Sequence, residues 1–133
     1  MVVSGAMVAG VTDMIKGLDH IQLALPAGAE DKMRVFYCDL LGMAEMEKPD
    51  ALQGRGGFWT IAGTMQIHFG VDPDFRAAGK AHPAFRAADL DLLAKELEAA
   101  GYSVDWDTSL PHIRRFFTAD PVGNRVELIA SDG

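Results

Sequence analysis

The feature that most limits what this chain can fold into is an internal repeat. LDHIQLALPAGAEDKMRVFYCDLLGM, starting at residue 18, sets a histidine early in a strand-like segment and passes quickly into a helical one; AHPAFRAADLDLLAKELEAAGY, starting at residue 81, does the same. In the first, Ile21, Leu23 and Leu25 alternate with His20, Gln22 and Ala24, the period of a half-buried strand. Met33, Phe36, Tyr37, Leu40 and Leu41 then recur at helical spacing over 29–41, and Gly42 is placed to stop the helix. AEMEK reads as a short strand, and FWTIA with TMQIHFG as a hairpin across Gly63 and Thr64. The second half repeats this order. HPAFRA is a strand, and a helix capped by Asp89 turns Leu90, Leu93, Leu97 and Ala100 inward and ends at Gly101. YSVDWD is a strand, and IRRFFTA and NRVELIA form a hairpin around the turn DPVGN.

Each half therefore reads β-α-β-β-β. Landmarks align at a shift of roughly sixty residues: His20 with His82, Gly42 with Gly101, Gly63 with Gly123, His68 with Glu127. The expected class is α+β: two βαβββ modules forming a curved mixed-sheet cleft, with helices on the outer face. The expected division is an N-terminal arm over 1–16 and one domain over 17–131, with module one at 17–71 and module two at 81–131. A chain of 133 residues is long enough for one such core. Its net charge of −7 argues against nucleic acid as partner, because phosphate binding needs a basic face. No apolar run reaches the length of a membrane span, and the apolar start lacks the basic residues of a signal peptide. The single cysteine, Cys38, excludes an internal disulfide and fits a reducing, cytoplasmic setting.

The strand period also sorts the polar residues. Opposite the apolar faces lie His20 and Gln22, then Gln66 and His68, then His82 and Arg86, then Arg125 and Glu127. Three of the chain's four histidines share this surface. Symmetric pairing of the repeats would bring His20, His68, His82 and Glu127 together. Three imidazoles and a carboxylate suit Zn, Ni, Mn or Fe(II). Any one of these histidines alone is better read as a hydrogen-bonded polar residue; their equivalent places in the repeat favour a site. Gln22, Gln66, Arg86 and Arg125 are candidates for substrate contact or, equally, for pairing with nearby carboxylates. Arg114 and Arg115 point to opposite faces, so only one reaches the cleft, and Arg115 shares parity with Phe117. His112, in the loop SLPHIRRF, is a second base or a solvated histidine.

The segments LDHIQLALP with FYCDLLGM, QIHFG, HPAFRAADLDLLAKELEAAG and RRFFTADPVGNRVELI resemble the vicinal oxygen chelate superfamily over roughly residues 16–131. That group includes glyoxalase I, fosfomycin- and bleomycin-resistance proteins, extradiol dioxygenases and methylmalonyl-CoA epimerase. The resemblance implies paired βαβββ modules. It also implies a divalent metal on the first and last strand of each module, positions that fall here on His20, His68, His82 and Glu127. The place of His68 is commonly Glu or Gln in glyoxalase I and the epimerase. Glu127 is thus the one carboxylate of the four able to move a substrate proton, although an imidazole can also act as base.

The expectation is a metal-dependent enzyme of lyase, isomerase or dioxygenase type. It would act on a small oxygen-chelating substrate, with Gln22, Gln66, Arg86, His112 and Arg115 as candidate substrate contacts. The alternative is a non-enzymatic, resistance-type protein that binds a drug or metabolite, for which the acidic charge favours a cationic ligand. A homodimer is a family expectation, and the sequence leaves open whether one chain or two build the site.

Overall fold

The computed structural model describes residues 14–131; the expected arm over 1–16 falls, as far as residue 13, outside the described residues. Two four-stranded sheets carry the fold. In the first, β1 (Ile21–Leu25), β2 (Ala44–Met46), β3 (Phe58–Ala62) and β4 (Met65–Val71) stand in the order β1-β4-β3-β2. In the second, β5 (Ala84–Ala87), β6 (Asp105–Asp107), β7 (Arg115–Ala119) and β8 (Arg125–Ala130) stand in the order β5-β8-β7-β6. The first and last strands of each module run parallel and the other pairs antiparallel. The expected pair of βαβββ modules is therefore what the chain forms.

The register shows how deep the repeat goes. Gln22, two residues after His20, pairs with His68; Ala84, two residues after His82, pairs with Glu127. Gly42 and Gly101 close the two helices at φ 82° and 93°, and Gly63 and Gly123 turn the two hairpins at φ 62° and 94°. Those backbone conformations favour glycine because a Cβ crowds the following carbonyl.

Three sequence-based boundaries move. The first helix, expected over 29–41, is a short α-helix α1 (Glu30–Arg34) that widens into a π-helical turn over Val35–Leu40. There Leu41 N–H donates to Phe36 O, five residues back. The wider turn accompanies the complete burial of the adjacent Phe36 and Tyr37. In the second helix, α2 (Leu90–Ala99), Ala94 rather than Ala100 faces the core with Leu90 and Leu97. Asp89 caps α2 as expected, its carboxylate accepting from Leu92 N–H at 3.1 Å. His20 and His82, expected within strands, precede them. Pro83 has no N–H for the ladder, but its carbonyl accepts from Glu127 N–H at 3.0 Å and holds His82 beside β8.

The modules share one core. Leu25, Met33, Phe36, Ile67 and Phe69 belong to the same buried cluster as Phe85, Leu97, Phe116 and Leu128. The ring of Phe36 meets that of Tyr102 edge-on at 4.9 Å. Two polar links also cross between modules: Tyr37 O–H donates to Asp120 at 2.7 Å, and Asn124 Nδ2 donates to Ala24 O at 2.9 Å. Among the described residues no helix is long and apolar enough to cross a membrane.

Candidate metal centre

Module one supplies two imidazoles. His20 Nδ1–H donates to the Asp19 carboxylate at 2.9 Å, leaving Nε2 with its lone pair. The ring stacks on His68 at 4.1 Å and 19°, and His68 in turn lies flat on Trp59 at 3.6 Å and 2°. His68 is 4% exposed. Its Nε2–H donates to Gln66 Oε1 at 2.9 Å, leaving Nδ1 free to ligate. Burial first, and the neighbouring His20 second, hold the His68 imidazole below the ordinary histidine range. It is neutral at pH 7, the form that binds metals.

Module two supplies an imidazole and a carboxylate. His82 Nδ1 lies 2.8 Å from Lys80 O, and a carbonyl can only accept, so Nδ1 carries a proton. His82 Nε2 then faces Glu127 Oε1 at 2.9 Å. A neutral His82 would set two lone pairs against each other, so a proton or a metal cation must stand between them. The separation is that of a charge-assisted hydrogen bond, while two ligands of one tetrahedral cation at about 2.1 Å would stand about 3.4 Å apart. His20 and His68 each have one ring nitrogen tied to an acceptor and the other without a hydrogen bond, the pattern of metal-bound imidazoles, whereas both nitrogens of His82 are engaged.

Glu127 is fixed from its other side. Its Oε2 accepts from Arg115 Nη1 at 3.1 Å, and Arg115 Nε donates to Asp107 at 2.9 Å. The Ser109 N–H and hydroxyl, with Arg115 behind them, hold the Asp107 carboxyl down to about 2. The carboxylate partner of the arginine is thus ionised across the working pH range.

The four expected ligands form two pairs within one chain, His20 with His68 and His82 with Glu127. Among the described residues no group of three or more His, Cys, Asp or Glu side chains comes close enough to share an ion. The sequence left open whether one chain or two build the site, and within one chain the two pairs stand apart. Strand parity assigned the faces correctly but does not fix the approach of one module's face to the other's.

The architecture and both half-sites fall within the stretch that a family model recognises: the Glyoxalase/Bleomycin resistance protein/Dioxygenase superfamily matches residues 17–128. The chain belongs to that superfamily. A glyoxalase family protein from Bacillus anthracis is 40% identical, with 92% of this chain and all of that one aligned at a TM-score of 0.86. A lactoylglutathione lyase from Agrobacterium tumefaciens shares the fold at 21% identity and a TM-score of 0.65, over 90% of this chain and 96% of that one. An antibiotic-binding protein from Streptomyces does so at 19% identity and 0.68, over 91% and 100%. No curated protein matches the sequence. Superfamily membership thus spans catalysts and binders on one scaffold, and the site rather than the fold must separate them.

In this superfamily member the other expected contacts are distributed as follows. Gln66 is engaged by His68. Gln22 lies over Gly70, where a Cβ would stand 2.4 Å from its Nε2. Arg86 and His112 line a cavity of about 400 Å³ with Ile129. Arg115, which parity alone did not distinguish from Arg114, shares the face of Phe117 and Glu127, while Arg114 turns away to Asp91 at 2.8 Å. Arg115, however, is committed to Asp107 and Glu127, so it buttresses the carboxylate rather than offering itself to a substrate. Sequence reasoning did not find Asp107. The signal for it is the β6–β7 register, which sets Asp107 opposite Arg115 and depends on where a short edge strand begins.

Proposed function

We propose that this protein is a divalent-metal-dependent enzyme acting on a small substrate that chelates through two oxygens, and that it works as a homodimer in the cytoplasm. His20 and His68 of one chain and His82 and Glu127 of a second would hold Zn, Ni, Mn or Fe. When bound, the metal supplies Lewis acidity for two substrate oxygens and for an anionic intermediate. The observation that carries this reading is His82 Nε2 facing Glu127 Oε1 at 2.9 Å with Nδ1 already spoken for. Assembly from two chains is supported by the separation of the two pairs and by the unpaired outer edges of β1 and β5. Met14, Ile15 and Leu18, just before His20, are large apolar side chains left 90%, 85% and 78% exposed in the single chain. Arg115 fixes Glu127 as a ligand through one oxygen, and Glu127 is the carboxylate that would move the substrate proton. Trp59 and His68 form a flat wall against which a planar enediolate or ring can lie.

The test is elemental analysis of protein purified without a metal-affinity tag. Wild type should carry a stoichiometric divalent cation, and His20→Ala and His82→Ala should each lose it. Refolding the two variants together should restore about a quarter of wild-type metal. Half the dimers are then mixed, and each mixed dimer holds one intact site of two. No restoration would sink the two-chain assembly. Metal-free wild type that still binds a drug or metabolite would move the protein to the resistance-type reading.

A further inference from the structure

We infer that Arg125 recognises an oxyanion group of the substrate, so that the molecule acted on beside His82 and Glu127 is a small acid. The inference takes its location from the proposed metal centre, but the arginine's chemistry does not need the metal. Arg125 is on the same face of β8 as Glu127, two residues away. Its guanidinium lies 4.0 Å from the ring centre of Phe117, which His82 also meets, edge-on at 5.3 Å. A guanidinium held over a ring, with no carboxylate partner, keeps N–H donors for a fork of two hydrogen bonds to a carboxylate or phosphonate. Packing on Phe117 also restrains the side chain, so less rotamer freedom is lost on binding.

The surroundings point the same way. Arg34, Arg114 and Arg115 are each paired with carboxylates, and Arg125 is paired with none among the described residues. Arg125 borders a cavity of about 350 Å³ lined also by Gln22, Arg76, His82 and Asn124. Not one residue lining it is acidic, although the chain carries a net charge of −7. A carboxylate-free lining with Arg76 and Arg125 favours an anion locally, against the sign of the protein's overall field, and what sets this cavity apart from the other carboxylate-free ones is that His82 lines it. This reverses the cationic-ligand expectation drawn from net charge alone.

The experiment is calorimetric titration with methylphosphonate, with acetate, and with the uncharged dihydroxyacetone. It is run on metal-loaded and on chelator-treated protein. At least one oxyanion probe should bind wild type, and the stronger of the two identifies the source of the oxyanion. Arg125→Gln should weaken that probe at least tenfold, and Arg125→Lys should fall between, keeping the charge and losing the fork. Dihydroxyacetone should be unaffected, and the melting temperature of both variants should stay at the wild-type value. Wild type that binds neither oxyanion overturns the inference. So does an Arg125→Gln protein that binds as tightly as wild type, or an equal loss for the uncharged probe. Arg125-dependent binding that persists in metal-free protein upholds the inference even where the metal reading fails. Metal-bound protein indifferent to Arg125 does the reverse.

Discussion

Replacing Tyr37 by Phe tests the seam between the modules with a single atom. Tyr37 is fully buried, and its O–H donates at 2.7 Å to Asp120, itself 4% exposed. The Asp120 carboxylate also accepts from Val122 N–H at 3.0 Å, Asn124 N–H at 2.9 Å and Asn124 Nδ2 at 3.0 Å. A hydrogen bond to a charged acceptor contributes about 1.5–3 kcal/mol net. Asp120 Oδ2 keeps its Asn124 donor, so the loss should fall in the lower part of that range, about 2 kcal/mol. At about 2.1 cal/mol/K per residue over about 120 residues, that lowers Tm by about 8 °C. The pH dependence gives a second reading. Burial first, and the Asp120 charge second, push the Tyr37 phenol well above its usual 10.0. The folded state then keeps a proton that the unfolded chain releases. Stability from this group is complete below pH 10 and falls as pH rises past it, by about 1.4 kcal/mol per unit. The Phe variant lacks that slope. A gap of about 2 kcal/mol at pH 8 should therefore shrink as pH is raised past 10. Urea unfolding of both proteins at fixed concentration measures it. A gap under about 0.5 kcal/mol at pH 8, or one unchanged at pH 11, would refute the assignment of Tyr37 as a buried, proton-retaining link.

Two further outcomes follow from local geometry. At Gly57, φ is 74° and an added Cβ would stand 2.0 Å from Phe69 O, a backbone atom that cannot give way; Gly57→Ala should cost at least about 3 kcal/mol by urea unfolding. At Gly42, φ is 82° but the space is open, so Gly42→Ala should cost only about 1–2 kcal/mol, and equal costs at the two sites would show that sterics at Phe69 do not govern. The Asp107 carboxyl should titrate near 2 by carboxyl-detected NMR, because Ser109 and then Arg115 favour its charged form. The Asp107–Arg115 contact is then intact above pH 4 and opens only as pH falls toward about 2; a midpoint near the ordinary carboxylate value of 3.8 would refute it.

The fold was legible because each of its decisions is local. Alternation of Ile21, Leu23 and Leu25 fixes a face, Gly63 and Gly123 fix turns, and Asp89 fixes a helix start. The equivalence of His68 with Glu127 was legible for the same reason, since a repeat preserves register and register preserves faces. The helix over 29–41 was only partly legible. Helical periodicity does not distinguish an α-turn from a π-turn, and what separates them here is the joint burial of Phe36 and Tyr37 against the other module.

The site was legible as two halves, and the reason decides how far such an argument can be taken. Parity says that Arg115 and Arg125 share the face of Glu127, but not which of them is neutralised there. That depends on Asp107, whose place opposite Arg115 follows from a three-residue edge strand read from sequence as six. One arginine is consequently taken up in holding the carboxylate, and the other is left facing the cavity. Convergence of the two halves depends on a still longer-range fact, the docking of one module's polar face, which no intrachain pattern encodes. His82 and Glu127 face each other at 2.9 Å, and His20 stacks on His68 a few residues after the exposed Met14, Ile15 and Leu18. In the proposed homodimer a second copy of the same chain would supply the complementary pair without any new sequence, because a twofold pairing sets each surface against its counterpart.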